Sequence, residues 1–320
     1  MNKTKISWAT DVWNPIVGCS RISPGCDNCY AANLARSARL QQFVQYQEVK
    51  DWDGNIAFVP SQMTKPFKSK TPQLFFLSMS DPGHHNVKLE YLDRMFAVMA
   101  IASEHQFLLL SKRPKAMKAY IKGLTGDRLY EASKYFWNES DIPKRLWRPL
   151  ALLREHFNTL EFPIKNIWIG TSVENQIVAD YRILDLKATP AHIRFISCEP
   201  LLERVDLRKY LGICIGCQSC EFRGDHRIGK PMVDWVICGG ESAQKRSDAR
   251  VCHLDWLRSI VQQCQLAEVP ISVKQLGSNP IDSQMYIVGV TMTTFQVQVK
   301  DHTNLNEFPE ELRWRQHPVF

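Results

Sequence analysis

Cys19, Cys26 and Cys29 fall within one short run, Gly18-Cys-Ser-Arg-Ile-Ser-Pro-Gly-Cys-Asp-Asn-Cys-Tyr-Ala31. Ser23-Pro24-Gly25 and Asp27-Asn28 are turn formers, so this stretch reads as a tight loop that points several side chains inward. Three thiolates converging from a loop with no fourth cysteine close by suit a [4Fe-4S] cluster that leaves one iron open to a substrate or cofactor. A structural zinc site takes four protein ligands, so zinc at this loop needs a distant fourth residue and is the competing reading. A disulfide framework is disfavoured, because no apolar run resembling a signal peptide follows Met-Asn-Lys-Thr-Lys.

A second cluster, Cys214, Cys217 and Cys220, forms two overlapping Cys-x2-Cys pairs in a loop-like stretch. It reads as a second metal site, holding structural zinc or an auxiliary iron–sulfur cluster, with His226, Cys238 or Cys252 as a further ligand. Cys198 and Cys264 sit in apolar patterns and read as core. Ten cysteines without a secretory signal point to a reducing cytoplasm.

Six apolar runs must position these loops. They are Leu74–Asp81, Phe107–Pro114, Asn166–Val173, Ile193–Pro200, Trp235–Ser242 and Val269–Gln275. Their lack of clean alternation marks strands buried on both faces, as in a parallel sheet. Helical spacing recurs in Tyr91–Ala100 and in Leu254–Cys264, where Asp255 suits a helix start. The expected fold is therefore α/β, a full or partial (β/α) barrel of the TIM type, over residues 1–278. In such a barrel the strand ends carry the chemistry. Here those ends are Ser80 with Asp81, Lys112 with Arg113, Ser172 with Glu174, Glu199, Glu241 with Ser242, and Lys274 with Gln275. A helical insertion is expected at about 123–165 and a Cys-rich one at about 211–231. Residues 279–320 read as a small C-terminal β extension, with strand alternation over Tyr286–Val299.

The charge balance is 40 − 33 = +7, a modest basic excess compatible with a polyanionic partner. No stretch of apolar residues reaches the length of a membrane span, so no membrane partner is expected.

The chain resembles the phage Gp37/Gp68 family from Thr4 to about Gly277. The likeness rests on Trp13-Asn-Pro, Gly18-Cys19, Pro24–Ala31, Ser80-Asp81, Lys112-Arg-Pro114, Gly170–Gln176, Glu199–Leu202, Trp235–Ser242 and Lys274-Gln275. That family in turn is similar to a branch of the radical SAM superfamily related to spore photoproduct lyase. There a cysteine loop ending in Cys-Tyr precedes a strand ending in Thr-Asp-Pro, to which Ser80-Asp81-Pro82 is similar. The resemblance implies a radical SAM type barrel whose open iron binds S-adenosyl-L-methionine. One-electron reduction would cleave it to a 5′-deoxyadenosyl radical that abstracts hydrogen from a substrate, with an external electron donor.

Within that reading, Ser78, Ser80, Asp81, Ser172 and Glu174 would hydrogen-bond the methionine amino group or the ribose. Lys112, Arg113 or Lys274 would pair with the methionine carboxylate or a substrate phosphate. Glu199 and Glu241 would take ribose hydroxyls or substrate. The expected substrate is a nucleic acid or nucleotide. Two alternatives stand beside it. One is a non-enzymatic, zinc-stabilised nucleic-acid-binding protein of phage or mobile-element origin. The other is a redox or scaffold protein of a phage or defence system.

Overall fold

A computed structural model of the chain describes residues 9–138, 142–217, 224–244, 248–286, 291–296 and 303–318. All six apolar runs contain strands. With one further strand they form a seven-stranded sheet in the order β1 (Asp11–Val12), β2 (Leu74–Phe76), β3 (Gln106–Ser111), β4 (Ile167–Ser172), β5 (Ile193–Cys198), β6 (Trp235–Gly239) and β7 (Ile271–Gln275). Neighbours are parallel wherever their register is defined, for example Phe75 beside Phe107 and Trp235 beside Phe195. The order is linear with two ends, which fits a partial rather than a closed (β/α) barrel.

Two compact units make up the chain. The first takes in residues up to Ile22, Cys29–Gly170 and Ala188–Ile193. It carries helices α1 (Tyr30–Ala35), α2 (Leu89–Ile101), α3 (Pro114–Lys122), α4 (Gly126–Ser133) and α5 (Leu150–Asn158). Trp13, Phe75 and Phe107 pack ring against ring at its centre, with centroids 5.3 and 5.4 Å apart. The indole N–H of Trp13 is satisfied by Gln62 O at 2.8 Å, so the ring is buried without leaving a polar atom unpaired. Helix α2 spans the Tyr91–Ala100 pattern, turns Leu92, Met95, Phe96 and Met99 inward, and has Glu90 in its first turn.

The second unit takes in Ser23–Asn28, Thr171–Lys187 and Arg194 onward. It holds α6 (Gln176–Lys187) and α7 (Leu254–Ala267), the latter with Asp255 in its first turn. Leu257, Ile260, Val261 and Cys264 of α7 are buried, as are Cys198 and Cys238 on β5 and β6. A hairpin follows β7, Pro280–Tyr286 pairing antiparallel with Thr291–Gln296. The rest of the Tyr286–Val299 run lies outside the described residues.

Two local readings differ. The edge strand β1 is only two residues long and leaves no periodic trace. The stretch around Cys214, read as a loop, is a strand, Ile213–Cys217, paired antiparallel with Gly224–Arg227.

Candidate functional site

In the first unit the cysteine run is anchored to the end of β2. Gly18 forms a parallel bridge with Ser80, its N–H donating to Met79 O at 3.0 Å. The Ser80 hydroxyl donates back to Gly18 O at 2.7 Å. Gly18 has φ +101°, and a Cβ there would stand 2.1 Å from Asn55 O, so only glycine fits. Asn14, from the Trp13-Asn-Pro run, accepts from Ser78 N at 2.9 Å and Met79 N at 3.0 Å through one oxygen. Tyr30 donates to Ser78 O at 2.7 Å, tying the start of α1 to the same strand end.

Asp81 follows directly. Its carboxylate accepts from Gly83 N at 2.9 Å, Ser111 Oγ at 2.5 Å, Lys112 N at 3.1 Å and Arg113 Nη1 at 2.7 Å. Pro114 opens α3, so β3 must end just before it, and this fixes Arg113 at the strand-to-helix junction. The guanidinium also lies 3.8 Å from Cys19 Sγ and donates to Ser20 O at 3.1 Å. Ser20 Oγ sits 2.7 Å from His84 Nε2, while His84 Nδ1 accepts from Asn86 N, which assigns the ring proton to Nε2. Burial first, then Arg113, lowers the His84 pKa to about 4 and keeps the ring neutral. Burial, reinforced by Asp81, pushes the Cys19 thiol up to about 12, and Arg113 opposes them.

In the second unit the turn Ser23–Asn28, which bears Cys26, is gripped by two carboxylates. Gly25 N donates to Glu174 Oε1 at 3.4 Å, and Arg182 Nη1 donates to Glu174 Oε2 at 2.8 Å. Neither Glu174 nor Arg182 has any exposed side-chain surface. Asn175 caps α6 by accepting from Val178 N at 3.0 Å, which places Glu174 just ahead of the helix. Asn28 Nδ2 donates to Glu241 Oε2 at 2.8 Å, and Arg250 donates to Glu241 through its backbone N–H and its guanidinium. Arg250 Nη1 also donates to Pro24 O at 2.9 Å. Burial works to raise the Glu241 pKa, but the hydrogen bonds from Arg250 and Asn28 outweigh it and hold the carboxyl below its usual range. Gly240 precedes Glu241, and a Cβ there would meet Leu276 O at 2.4 Å.

At the ends of β5 and β7, Lys274 Nζ lies 2.9 Å from Glu199, and Gln275 Nε2 donates to Glu199 Oε1 at 2.8 Å. Ser242 Oγ donates to Gln275 Oε1 at 2.7 Å. The residues expected to contact a cofactor thus divide. Ser78, Ser80, Asp81 and the Lys112 backbone are engaged with the cysteine run and its strand end in the first unit. Glu174 and Glu241 are engaged with the Cys26 turn in the second, where Ser172 accepts from Arg182 through its carbonyl. Lys274 and Glu199 form a separate pair. Asn14, Ser20 and His84 carry no chemical signature in sequence beyond the Trp13-Asn-Pro and Pro82-Gly-His-His runs. Arg182 and Arg250 carry none at all, being ordinary helix and loop arginines until their partners are known.

Cys19, Cys26 and Cys29 are all partly exposed, and none is in a disulfide. No group of three His, Cys, Asp or Glu side chains converges as a ligand set among the described residues. Three thiols on one short run are nonetheless the donor type that cluster irons take. At Cys19 burial and Asp81 outweigh Arg113, so that thiol would ionise only against the charge of a bound metal. Of the second cluster, Cys214 is partly exposed, while the Cys217 side chain and all of Cys220 lie outside the described residues. Cys238 and Cys252 are fully buried. No described helix is long and apolar enough to cross a membrane.

No curated protein and no solved structure matches the chain. A family profile described as a protein of unknown function (DUF5131) matches residues 3–316, and the chain belongs to that family.

Proposed function

We propose that this chain is an iron–sulfur radical SAM enzyme, with Cys19, Cys26 and Cys29 holding a [4Fe-4S] cluster and S-adenosyl-L-methionine bound at its open iron. When bound, that pair supplies one-electron reductive cleavage of the cofactor, the chemistry that opens hydrogen abstraction from a substrate. The observation that supports the reading most is how the cysteine run is held. Its start is fastened to Ser80, and its central turn is gripped by Glu174 and Glu241. Two ion pairs, Glu174–Arg182 wholly buried and Glu241–Arg250 partly so, spent on the turn that bears Cys26 serve to hold that thiol still, which a surface loop does not need.

The chain's own residues have defined tasks in this account. Arg113 sets a positive charge beside Cys19 and is itself held by Asp81. In the second unit Lys274 and Glu199 offer a cation and an anion to a polar ligand. In the first, Lys112 is a cation just after β3. The sheet is then a partial barrel of radical SAM type. A nucleotide or nucleic-acid substrate, an external electron donor and a cytoplasmic setting complete the proposal, supported by the basic charge balance and the sequence resemblance. Cys214, Cys217 and Cys220 are proposed as a second metal site.

The test is 5′-deoxyadenosine formation by anaerobically reconstituted, reduced protein. Cleavage that disappears in Cys19→Ala, Cys26→Ala and Cys29→Ala is the expected result. A colourless zinc protein that makes no deoxyadenosine and binds nucleic acid in a salt-sensitive way would replace this reading with the zinc-stabilised binding protein.

A further inference from the structure

The turn that carries Cys26 is short and has little of its own to hold it in place. Pro24–Cys26 is a single 3-10 turn, closed by Cys26 N to Ser23 O at 2.9 Å and Asp27 N to Pro24 O at 3.1 Å. One such turn has poor hydrogen-bond geometry and does not persist alone. Its support comes from residues far along the chain, and the contacts go to the turn's backbone and to Asp27 and Asn28. Glu174 takes Gly25 N, Arg250 holds Pro24 O and stands 3.5 Å from Asp27, and Glu241 takes the Asn28 amide. Asn28 also donates to Asp248 O at 3.2 Å, which joins the turn to the segment bearing Arg250.

The two supports differ in kind. Glu174 and Arg182 are wholly enclosed, and Arg182 Nη1 also donates to Ser172 O at 3.0 Å, so this pair is a fixed wall. Glu241 is 6 % exposed, whereas Arg250 is 32 % exposed and reaches both the carboxylate and the turn. Arg250 therefore closes over the turn from the solvent side. Resting on the reading above, we infer that Glu241 and Arg250 are positioning residues that hold Cys26 where it ligates the cluster. Their effect passes through the backbone of Pro24 and the side chain of Asn28.

The experiment uses the full chain in two forms. In the reduced, iron-free protein, alkylation by N-ethylmaleimide at fixed pH is followed cysteine by cysteine by peptide mass spectrometry. Arg250→Met and Asn28→Ala should each speed labelling of Cys26 about tenfold and leave Cys19 and Cys29 within about twofold, the factor of ten being the loss of roughly one hydrogen bond's worth of restraint. Arg250→Lys should restore part of the protection, since it keeps the charge but not the forked geometry. In the reconstituted protein the same variants should lose iron to a chelator about tenfold faster. Asn28→Ala guards against misfolding, because it leaves the Glu241–Arg250 pair intact. Unchanged Cys26 labelling in both variants overturns the inference. So does a parallel rise at all three cysteines, which would mean general loosening. If the wild-type protein binds no iron, the enzyme reading fails while the labelling still decides whether the clamp exists.

Discussion

Arg113 and Asp81 form a nearly enclosed ion pair, Nη1 to Oδ2 at 2.7 Å, with side chains 12 % and 9 % exposed. The same guanidinium faces Cys19 and the Ser20 carbonyl. Asp81 thus acts on the cysteine run at one remove: it fixes the cation that fixes the loop. Breaking one partner of a buried pair leaves the other charge unpaired and costs about 3–5 kcal/mol.

Asp81→Ala should therefore destabilise the protein by about 3 kcal/mol in urea unfolding. The double variant Asp81→Ala/Arg113→Met should cost clearly less than the sum of the single changes, because it removes the stranded charge. Additive losses would mean that the pair does not act as a unit.

Gly18 and Gly229 offer a matched comparison. Alanine at Gly18 must adopt φ +101° and push its methyl into Asn55 O, whereas a Cβ at Gly229 meets nothing within 4 Å. Gly18→Ala should cost about 3 kcal/mol or more, and Gly229→Ala should stay within about 0.5 kcal/mol of wild type. Thermal unfolding of the two variants side by side reads the difference.

His105 supplies a pH dependence. Its Nδ1 accepts from Gln73 N at 3.2 Å and its Nε2 lies 2.9 Å from Pro66 O, so the neutral ring is satisfied and has no place for a second proton. Burial is the main cause lowering its pKa from the ordinary 6.5. The unfolded chain then takes up a proton near pH 6.5 that the folded chain refuses, so stability falls as the pH drops below that value. His105→Gln should flatten the decline in urea midpoint between about pH 7.5 and about pH 5, to which the neutral, buried His84 also contributes. An unchanged slope would show that His105 titrates normally.

The sequence shows where chain is buried better than it shows which charges meet. Leu74–Phe76, Gln106–Ser111 and the other long runs announce themselves because a strand covered on both faces must be apolar throughout. The two-residue β1 is too short for any pattern to report. The polar strand ends are equally visible, but read alone they invite an outside ligand. Glu241 instead meets Asn28, 213 positions away, and Glu174 meets Gly25, 149 positions away. Nothing local to either carboxylate encodes that meeting. Arg250 is harder still, since its role exists only once Glu241 and Pro24 are brought within reach of one guanidinium.

The most direct test of the central claim is the electron paramagnetic resonance spectrum of anaerobically reconstituted, dithionite-reduced protein, recorded with and without S-adenosyl-L-methionine. A [4Fe-4S]⁺ signal that shifts when the cofactor is added and vanishes in Cys26→Ala is the expected result. A spectrum with no iron–sulfur signal, from protein carrying stoichiometric zinc at Cys19, Cys26 and Cys29, would contradict it.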